Sequence, residues 1–366
     1  MMHILHVVDS SAGWEQQTAL AQLLDRLPVP QHVQKVAALS ATARTQPIEI
    51  LPWFSSIPWL GGPLMRNTAR RFGADVIHAW GVDAAIAAAS FDSPLVVHLF
   101  HPRMSAREMK ALRALDRSAG FGVACASGTV RRRIIEGGIP ADRCALIRPG
   151  VDFGWLGRQH RADVRNQLGL SLTDYVVLVS EPATRTGGHM EAAFACELAS
   201  FVTPHIRMVL PGKSREHSRI RRFFADQPHP EVLICPDPDT PFLQLLAAAD
   251  VFVAAPFVET SSTAIAWAMA AGVAVLGVAD YSVAELITHK VNGRLFKPVR
   301  VEGRAVTLAK ILAQAQTNGA LREAARGQAY EVFSIRRCMD QHIRLYENVI
   351  AGQAASEGIS DAAIVA

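Results

Sequence analysis

Short apolar runs alternating with longer amphipathic segments constrain the fold of this chain more than any other feature. In the first half the runs have the length of strands and lie at residues 3–8, 75–80, 94–100, 122–127 and 144–150. Segments of helical length separate several of them, including residues 15–27 and 105–120. Strands that are apolar along their whole length are buried on both faces. The pattern therefore predicts a parallel sheet covered by helices on both sides.

The same pattern restarts after a polar, glycine-containing segment near residues 152–172. The second set of runs lies at residues 175–180, 206–212, 231–236, 250–256 and 273–278. A chain of 366 residues also exceeds the size at which one hydrophobic core usually stops growing. We therefore predict an α/β protein with two Rossmann-like, doubly wound parallel-sheet domains. The predicted parts are a first domain at 1–160, a second at 161–330, a C-terminal helix at 331–350 and a flexible tail at 351–366.

Composition narrows the class of protein. Half of the residues are hydrophobic and the net charge is only +4, which is typical of a globular enzyme-sized protein and too small an excess to indicate a nucleic-acid partner. We find no leader pattern at the N-terminus and no apolar run of about 18 residues. The five cysteines are scattered, without a CxxC pair or a neighbouring histidine. They predict reduced thiols, no metal site and a cytoplasmic location.

One segment, residues 51–72, suggests contact with a membrane. It combines aromatic and basic side chains, namely Trp53, Phe54, Trp59, Arg66, Arg70 and Arg71. Such a combination suits an anionic membrane surface, here the inner face, or a lipid-linked acceptor. Packing of the aromatic side chains between two elements explains the pattern equally simply, and both interpretations stay open.

The loop after the run at 250–256 carries a carboxylate and a row of small hydroxyls. Glu259 is followed by Ser261, Ser262 and Thr263, which open an Ala-rich apolar helix. In open parallel sheets, ligands bind beyond the carboxyl ends of strands, and a helix N-terminus there offers free N–H groups to a phosphate. Simple capping by Ser or Thr is the alternative. The segment 235–240, with its Asp-x-Asp, is predicted to be a turn rather than a metal site.

Three blocks, at residues 3–24, 120–152 and 250–296, resemble the family 4 glycosyltransferases in sequence and in order. The resemblance implies the GT-B fold, in which two Rossmann-like domains face a cleft. It also implies transfer of a sugar, with retention, from a UDP- or GDP-linked donor to a saccharide or lipid-linked acceptor. The expected setting is the synthesis of cell-surface polysaccharide or glycolipid, with no cofactor besides the donor substrate.

The resemblance assigns Glu259 to the first of two family carboxylates that lie eight positions apart. Ala268, Met269, Ala270 and Gly272 match the residues after the second one, but Trp267 stands where that second glutamate belongs. In the family this carboxylate accepts hydrogen bonds from the ribose, and an indole has no acceptor for them. Glu285 matches a later family glutamate and is a candidate for binding a sugar hydroxyl or for organising a helix start.

Two family cations that neutralise the leaving diphosphate are replaced as well. Glu181 falls at the arginine position, and Thr186 or Gly187 falls at the lysine position. Arg185 and Lys213 are the candidates to supply positive charge in their place, or else are ordinary surface charges. Gly187 and Gly188, followed by His189, retain the family's close backbone turn.

In the first domain Gly13 and Glu15 match the family's glycine loop, where a backbone amide can approach phosphate or acceptor. His101, just past the run at 94–100, is the candidate for the family's active-site histidine, with His98 as the alternative. Together these residues predict an active glycosyltransferase. A GT-B protein that has lost transfer and serves as a binding or partner subunit is the second hypothesis, because the cations and the second glutamate are replaced.

Overall fold

A computed structural model describes residues 1–8, 13–27, 31–38, 69–89, 93–116, 120–297, 301–314 and 319–359. Within these ranges the chain forms two compact units. The first comprises the described residues of Met1–Gly150 together with residues 335–359, and the second comprises those of Val151–Ser334. The segment with the predicted membrane contact falls almost entirely outside the described residues.

The first unit contains a six-stranded sheet with the order β2-β1-β3-β4-β5-β6, and every pairing in it is parallel. Its strands are β1 Met2–Val8, β2 His32–Ala38, β3 Val76–Trp80, β4 Leu95–Leu99, β5 Phe121–Cys125 and β6 Cys144–Leu146. Its helices are α1 Trp14–Arg26, α2 Val82–Ala88, α3 Ala106–Leu115 and α4 Gly128–Glu136, with a 3-10 turn at Ala141–Arg143.

The second unit repeats this plan with the order β12-β11-β10-β7-β8-β9, again parallel throughout. Its strands are β7 Tyr175–Val179, β8 Ile206–Val209, β9 Leu233–Ile234, β10 Val251–Ala254, β11 Ala274–Val278 and β12 Arg294–Phe296. Its helices are α5 Phe153–Gly157, α6 Arg161–Gln167, α7 His189–Ser200, α8 Arg215–Ala225, α9 Phe242–Leu245, α10 Thr263–Ala270, α11 Tyr281–Ala284, α12 Val301–Gln314 and α13 Gly319–Val332, with a 3-10 turn at Pro230–Val232. The predicted fold class is confirmed.

The last helix, α14 Ile335–Ile350, belongs to the first unit. Its apolar side chains Leu345, Tyr346 and Val349 lie in one buried cluster with Ile4 of β1 and Val96 of β4. The chain therefore leaves the first unit at Gly150 and returns to it after the second unit is complete. The sequence showed the helix but not its destination, because an apolar helix face does not reveal which sheet it covers.

The segment after α14, predicted as a flexible tail, is packed over the part that the structure describes. Ala355 is fully buried, and the side-chain amide of Asn348 donates to the carbonyls of Ala355 and Glu357. Gly122 of β5 leaves the room for this contact, since a Cβ there would lie 2.9 Å from the Ala355 methyl. The predicted fraying is thus corrected for residues 351–359.

A buried arginine ties α6 to the sheet of the second unit. The Arg165 side chain is fully buried and donates to Asp250 Oδ2 at 2.7 Å and to the Ala248 carbonyl at 3.1 Å. Its third nitrogen donates to the carbonyls of Ser171, Leu172 and Asp174. Asp250 also accepts from the Val176 N–H at 2.8 Å, so one carboxylate joins the starts of β7 and β10 to the helix.

None of the helices in the described part of the chain is long and apolar enough to span a membrane.

Candidate functional site

The second unit has its topological switch point between β7 and β10, where the chain runs outward through β8 on one side and through β11 on the other. In open parallel sheets, the crevice beyond the carboxyl ends of the strands at this point is the usual ligand site. Two loops lie there, Ser180–Gly188 after β7 and Ala255–Ser262 after β10. The Phe257 N–H donates to the Thr186 carbonyl at 2.8 Å, which joins the two loops directly.

Gly188 makes this close approach feasible. It is buried, has φ of +74°, and precedes the first residue of α7. A Cβ at this position would collide with the carbonyl group of Ala255. Glycine is therefore required both by the left-handed backbone and by the neighbouring strand end.

His189 holds the β7 loop in shape rather than facing a ligand. Its Nε2–H donates to the Ser180 carbonyl at 2.9 Å, and its Nδ1 accepts from the Thr184 N–H at 3.3 Å. Burial lowers the pKa of His189, which keeps the ring in the neutral form that this pair of contacts needs. A Cβ on Gly187 would meet the same ring, so Gly187 also serves the loop's packing.

The candidate cations of this region are on its surface. Arg185, in the β7 loop, and Lys213, just beyond the end of β8, are both exposed. Glu181 is half-buried beside Gly212, where a Cβ would lie 3.2 Å from Glu181 Oε2. Burial raises the pKa of Glu181 to about 7, so this carboxyl is partly protonated near neutral pH.

The hydroxyl residues at the start of α10 are buried and largely bonded to one another. Ser261 Oγ donates to Thr263 Oγ1 at 3.0 Å and accepts from the Thr263 N–H at 3.2 Å. Ser262 is the N-cap residue but its side chain makes no capping hydrogen bond. The capping interpretation therefore accounts for Ser261, while the N–H groups that follow in the first turn still lack a partner from a preceding turn.

Glu259 is half-buried in the β10 loop, near Asp280 of the loop after β11. Burial raises the pKa of Asp280, and the negative charge of Glu259 raises it further. Asp280 accepts from the Val283 N–H at 2.9 Å and from Ser282 Oγ at 2.8 Å, so it organises the start of α11. Glu285 is half-buried at the other end of that short helix.

Trp267, at the position of the family's second glutamate, is only 2% exposed. The indole is thus part of the core of the second unit. It offers no open face on which a nucleotide could stack in this structure.

Arg304, which the sequence did not single out, contacts the same β10 loop. The residue is only 9% exposed, and its side chain donates to the Pro256 carbonyl at 3.2 Å and lies 4.3 Å from the centre of the Phe257 ring. Burial raises the pKa of Glu191, in the first turn of α7, and the positive charge of Arg304 offsets part of this rise. One arginine in a helical segment gives no sequence signal for this role.

In the first unit, two predicted residues meet. His101 Nε2 lies 3.3 Å from Glu15 Oε2, with the histidine side chain 58% exposed and the glutamate 10% exposed. For Gly13, the exposed N-cap residue of α1, no atom of the described residues lies within 4 Å of where a Cβ would be, and its N–H donates to Gln16 Oε1. His98, in contrast, is buried on one face of the sheet, which favours His101 as the residue that a substrate could reach.

The predicted turn at residues 235–240 is also formed as expected. Asp237 Oδ1 accepts from the Asp239 N–H at 2.8 Å, and the Asp237 carbonyl accepts from the Thr240 N–H. The Asp-x-Asp pair thus closes a turn.

Two family models match adjacent parts of the chain. The model of glycosyl transferases group 1 matches residues 163–328, and the model of glycosyltransferase family 4 matches residues 19–155. The chain belongs to the group 1, family 4 glycosyltransferases. The resemblance inferred from the sequence blocks is therefore confirmed. No curated protein matches this glycosyltransferase by sequence.

Several solved structures share its fold. HepE of Anabaena, solved in complex with UDP and with UDP-glucose, is 21% identical, with a TM-score of 0.75 over 95% of this chain and 100% of that one. Sucrose-phosphate synthase of Thermosynechococcus elongatus is 15% identical, with a TM-score of 0.74 over 96% of this chain and 100% of that one. A glycosyltransferase from Rickettsia africae is 15% identical, with a TM-score of 0.73 over 95% of this chain and 98% of that one.

Proposed function

We propose that this glycosyltransferase moves a sugar from a nucleotide-linked donor to a saccharide or lipid-linked acceptor, with retention of anomeric configuration. The observation that carries the proposal is the joined pair of loops at the switch point of the second unit, where the Phe257 N–H bonds the Thr186 carbonyl. Strand ends, a close glycine turn and a helix start converge there, which is the arrangement that binds phosphate in α/β sheets.

The donor diphosphate is proposed to lie against Gly187, Gly188 and the start of α10. Arg185 and Lys213 are exposed and free to orient toward it, and they would supply the charge that the family's arginine and lysine provide. Glu259 is proposed to bind hydroxyls of the donor sugar, and Glu285 is a second candidate for this. Because Trp267 cannot accept hydrogen bonds from a ribose, we expect weak nucleotide binding, with a dissociation constant just below the millimolar range.

The acceptor is proposed to be bound by the first unit, near Gly13 and the His101–Glu15 pair. Catalysis would rest on orienting the acceptor and on stabilising the charge that develops on the leaving diphosphate. The proposal needs no metal and no cofactor.

UDP is the first nucleotide to test, because HepE was solved with UDP and UDP-glucose, and GDP is the second. We further propose action in the cytoplasm, at the inner face of the membrane where the acceptor is lipid-linked.

Calorimetric titration of the full chain with UDP, GDP and ADP tests the donor site. We expect sub-millimolar binding of UDP or GDP, weakened about 10- to 150-fold by Arg185→Ala, since one charge-assisted contact to phosphate contributes about 1.5–3 kcal/mol. Arg222→Ala is the matched control, because Arg222 is also exposed but lies in the last turn of α8. Absence of binding for all three nucleotides at millimolar concentration would overturn the enzyme proposal in favour of the binding-subunit hypothesis.

A positive titration would justify a screen of sugar donors against saccharide and lipid-linked acceptors. The configuration of the product at the transferred anomeric carbon, read by NMR, would then test retention. An inverted product would overturn that part of the proposal and leave the donor site standing.

A further inference from the structure

Three buried histidines meet in the first unit. His78 comes from β3, His98 from β4 and His342 from α14, and their exposed fractions are 0%, 3% and 1%. The rings of His78 and His98 are nearly parallel, with centroids 5.4 Å apart, and the His342 ring lies 5.3 Å from His98 and 5.8 Å from His78. The sheet register explains the meeting, because His98 pairs with Trp80 and therefore lies on the same sheet face as His78.

Each of the three rings has one buried nitrogen without a hydrogen-bond partner among the described residues. These atoms are His78 Nε2, His98 Nδ1 and His342 Nε2. Buried polar atoms are nearly always satisfied, and leaving one unsatisfied costs about 1–3 kcal/mol. Three such atoms on three neighbouring rings therefore call for a common partner.

The other nitrogens of two of these rings fix their orientation. His342 Nδ1 lies 2.8 Å from the Cys338 carbonyl, which can only accept, so this nitrogen carries the proton and Nε2 presents a lone pair. His78 Nδ1 lies 2.7 Å from the Tyr346 hydroxyl. Metal-binding histidines in proteins typically use their second nitrogen in this way.

We propose that His78, His98 and His342 bind one transition-metal ion, with Zn²⁺ as the expected occupant. One ring nitrogen from each residue lies within 4.8 Å of the others. Three nitrogens at about 2.1 Å from a tetrahedral zinc ion are separated by about 3.4 Å, so binding requires the rings to close by no more than about 1.4 Å. Imidazole ligands suit zinc and copper, whereas the set contains no carboxylate to favour magnesium or calcium.

Burial supplies the protonation state that such a site needs. It lowers the pKa of all three histidines, so each ring is neutral at physiological pH and has a lone pair to donate without losing a proton first. Phe100 and Trp80 stack on His98 and complete an apolar shell. A metal here would connect α14 to β3 and β4, and its role would be to fasten the returning helix to the sheet.

His6 provides a matched control in the same sheet face. It is fully buried and pairs with His78 in the sheet register, but both of its nitrogens already have partners. His6 Nε2 lies 3.0 Å from Gln34 Oε1, and Nδ1 accepts from Trp80 Nε1 at 3.2 Å. A variant of His6 therefore perturbs the same core without removing a proposed ligand.

Metal content of the full chain, produced without an affinity tag in zinc-supplemented medium, tests the proposal. We expect about one zinc per chain by elemental analysis after gel filtration, and less than about 0.1 in His98→Leu and in His342→Leu. His6→Leu should retain the metal. Protein that holds no zinc and binds none on titration, or ligand variants that keep a full equivalent, would overturn the site.

A second measurement uses only the unmodified chain, in case the variants do not fold. Removal of the metal by a chelator should lower Tm by several degrees, and Zn²⁺ should restore it, because a ligand that binds only the folded state stabilises it. Co²⁺ added to the metal-free protein should give the visible absorption of a tetrahedral nitrogen site at one equivalent. An unchanged Tm together with the absence of this absorption would overturn the proposal without reference to any variant.

Discussion

The Phe257 peptide N–H donates to the Thr186 carbonyl at 2.8 Å, and this single bond joins the loop after β7 to the loop after β10. Both loops leave the sheet at its switch point, so the bond fixes the spacing of the crevice in which the donor is proposed to bind. Residues that maintain this spacing should matter as much as residues that touch the ligand.

Gly188→Ala should damage the donor site by forcing these loops apart. The new Cβ would collide with the Ala255 carbonyl and would occupy a left-handed backbone, so we expect a loss of at least about 2 kcal/mol in the free energy of unfolding. Nucleotide binding should fall below detection. Denaturant unfolding and calorimetry measure the two effects. Gly327→Ala, in a helical position with open space, should instead be neutral or stabilise by about 0.5–1 kcal/mol. Equal behaviour of the two variants would contradict the argument.

Glu181 should make nucleotide binding depend on pH. Because its pKa is about 7, the carboxyl is mostly neutral at pH 6 and mostly charged at pH 8, where it repels a diphosphate. The dissociation constant for UDP should therefore rise by up to about tenfold across this range. In Glu181→Gln the rise should disappear, leaving only the part due to ionisation of the nucleotide itself. A wild-type profile that matches the variant's would show that the diphosphate lies elsewhere.

The same carboxyl affects folding stability with a defined sign. Its pKa is raised from 4.5 to about 7, so between these values the folded chain binds more protons than the unfolded chain. The stabilising contribution is complete below pH 4.5 and is lost as the pH rises through 7. Glu181→Gln should flatten this part of the stability profile, as measured by denaturant unfolding at several pH values.

His101→Asn should slow transfer and leave donor binding intact. The histidine belongs to the first unit, whereas the proposed diphosphate site belongs to the second, so the dissociation constant for UDP should change by less than about twofold. Turnover should fall by about 10²–10⁴ if His101 moves a proton in the reaction. Glu15→Gln should reduce turnover less, because Glu15 acts through His101, 3.3 Å away. The exposed His205→Asn is the control, and equal turnover in all three variants would remove His101 from the mechanism.

Arg304→Met should loosen the β10 loop. It removes a charged donor from the Pro256 carbonyl and a cation from the Phe257 ring, which together are expected to weaken UDP binding by about tenfold. Arg304→Lys keeps the charge but loses the planar group, so an intermediate affinity is expected. If Met and Lys variants bind UDP as the wild type does, the arginine has no role in this site.

Arg165→Met should be among the most destabilising substitutions in the second unit. It removes one of the two arginine partners of Asp250, whose side chain is only 16% exposed, and it removes a donor from four backbone carbonyls, with an expected loss of about 3–5 kcal/mol. Arg161→Met tests the same carboxylate from the solvent side. Because Arg161 is 38% exposed, its loss should cost about 1 kcal/mol or less. Denaturant unfolding of both variants distinguishes a buried pair from a screened one.

The sequence predicted the sheets well because strands buried on both faces must be apolar along their length. It missed β2, whose residues 32–38 include His32, Gln34 and Lys35 and lie at the edge of the sheet, where polar side chains are tolerated. From the sequence, the hydroxyl residues before α10 fitted either a phosphate-binding site or a helix cap. Only the structure shows that Ser261 forms hydrogen bonds with Thr263.

Contacts between residues far apart in the chain could not be predicted from the sequence. His78, His98 and His342 have no metal-binding spacing along the chain, and only the register of β3 with β4 and the return of α14 bring them together. Arg304 was missed for the same reason. By contrast, Glu259 and Gly188 fell in matching motifs and Arg185 lay four positions after the replaced family arginine, and their roles toward a ligand remain predictions.

The return of α14 has a consequence for the order in which the chain matures on the ribosome. The first unit is synthesised first, yet part of the cover for one face of its sheet is the last helix to emerge. The residues from Val151 to Ser334 must be translated in between, which takes roughly 10–40 s at common elongation rates. During this interval the second unit can fold while the first waits with an apolar face open. A nascent chain or a truncated product ending before residue 335 should accordingly bind chaperones and aggregate, whereas the finished chain should not.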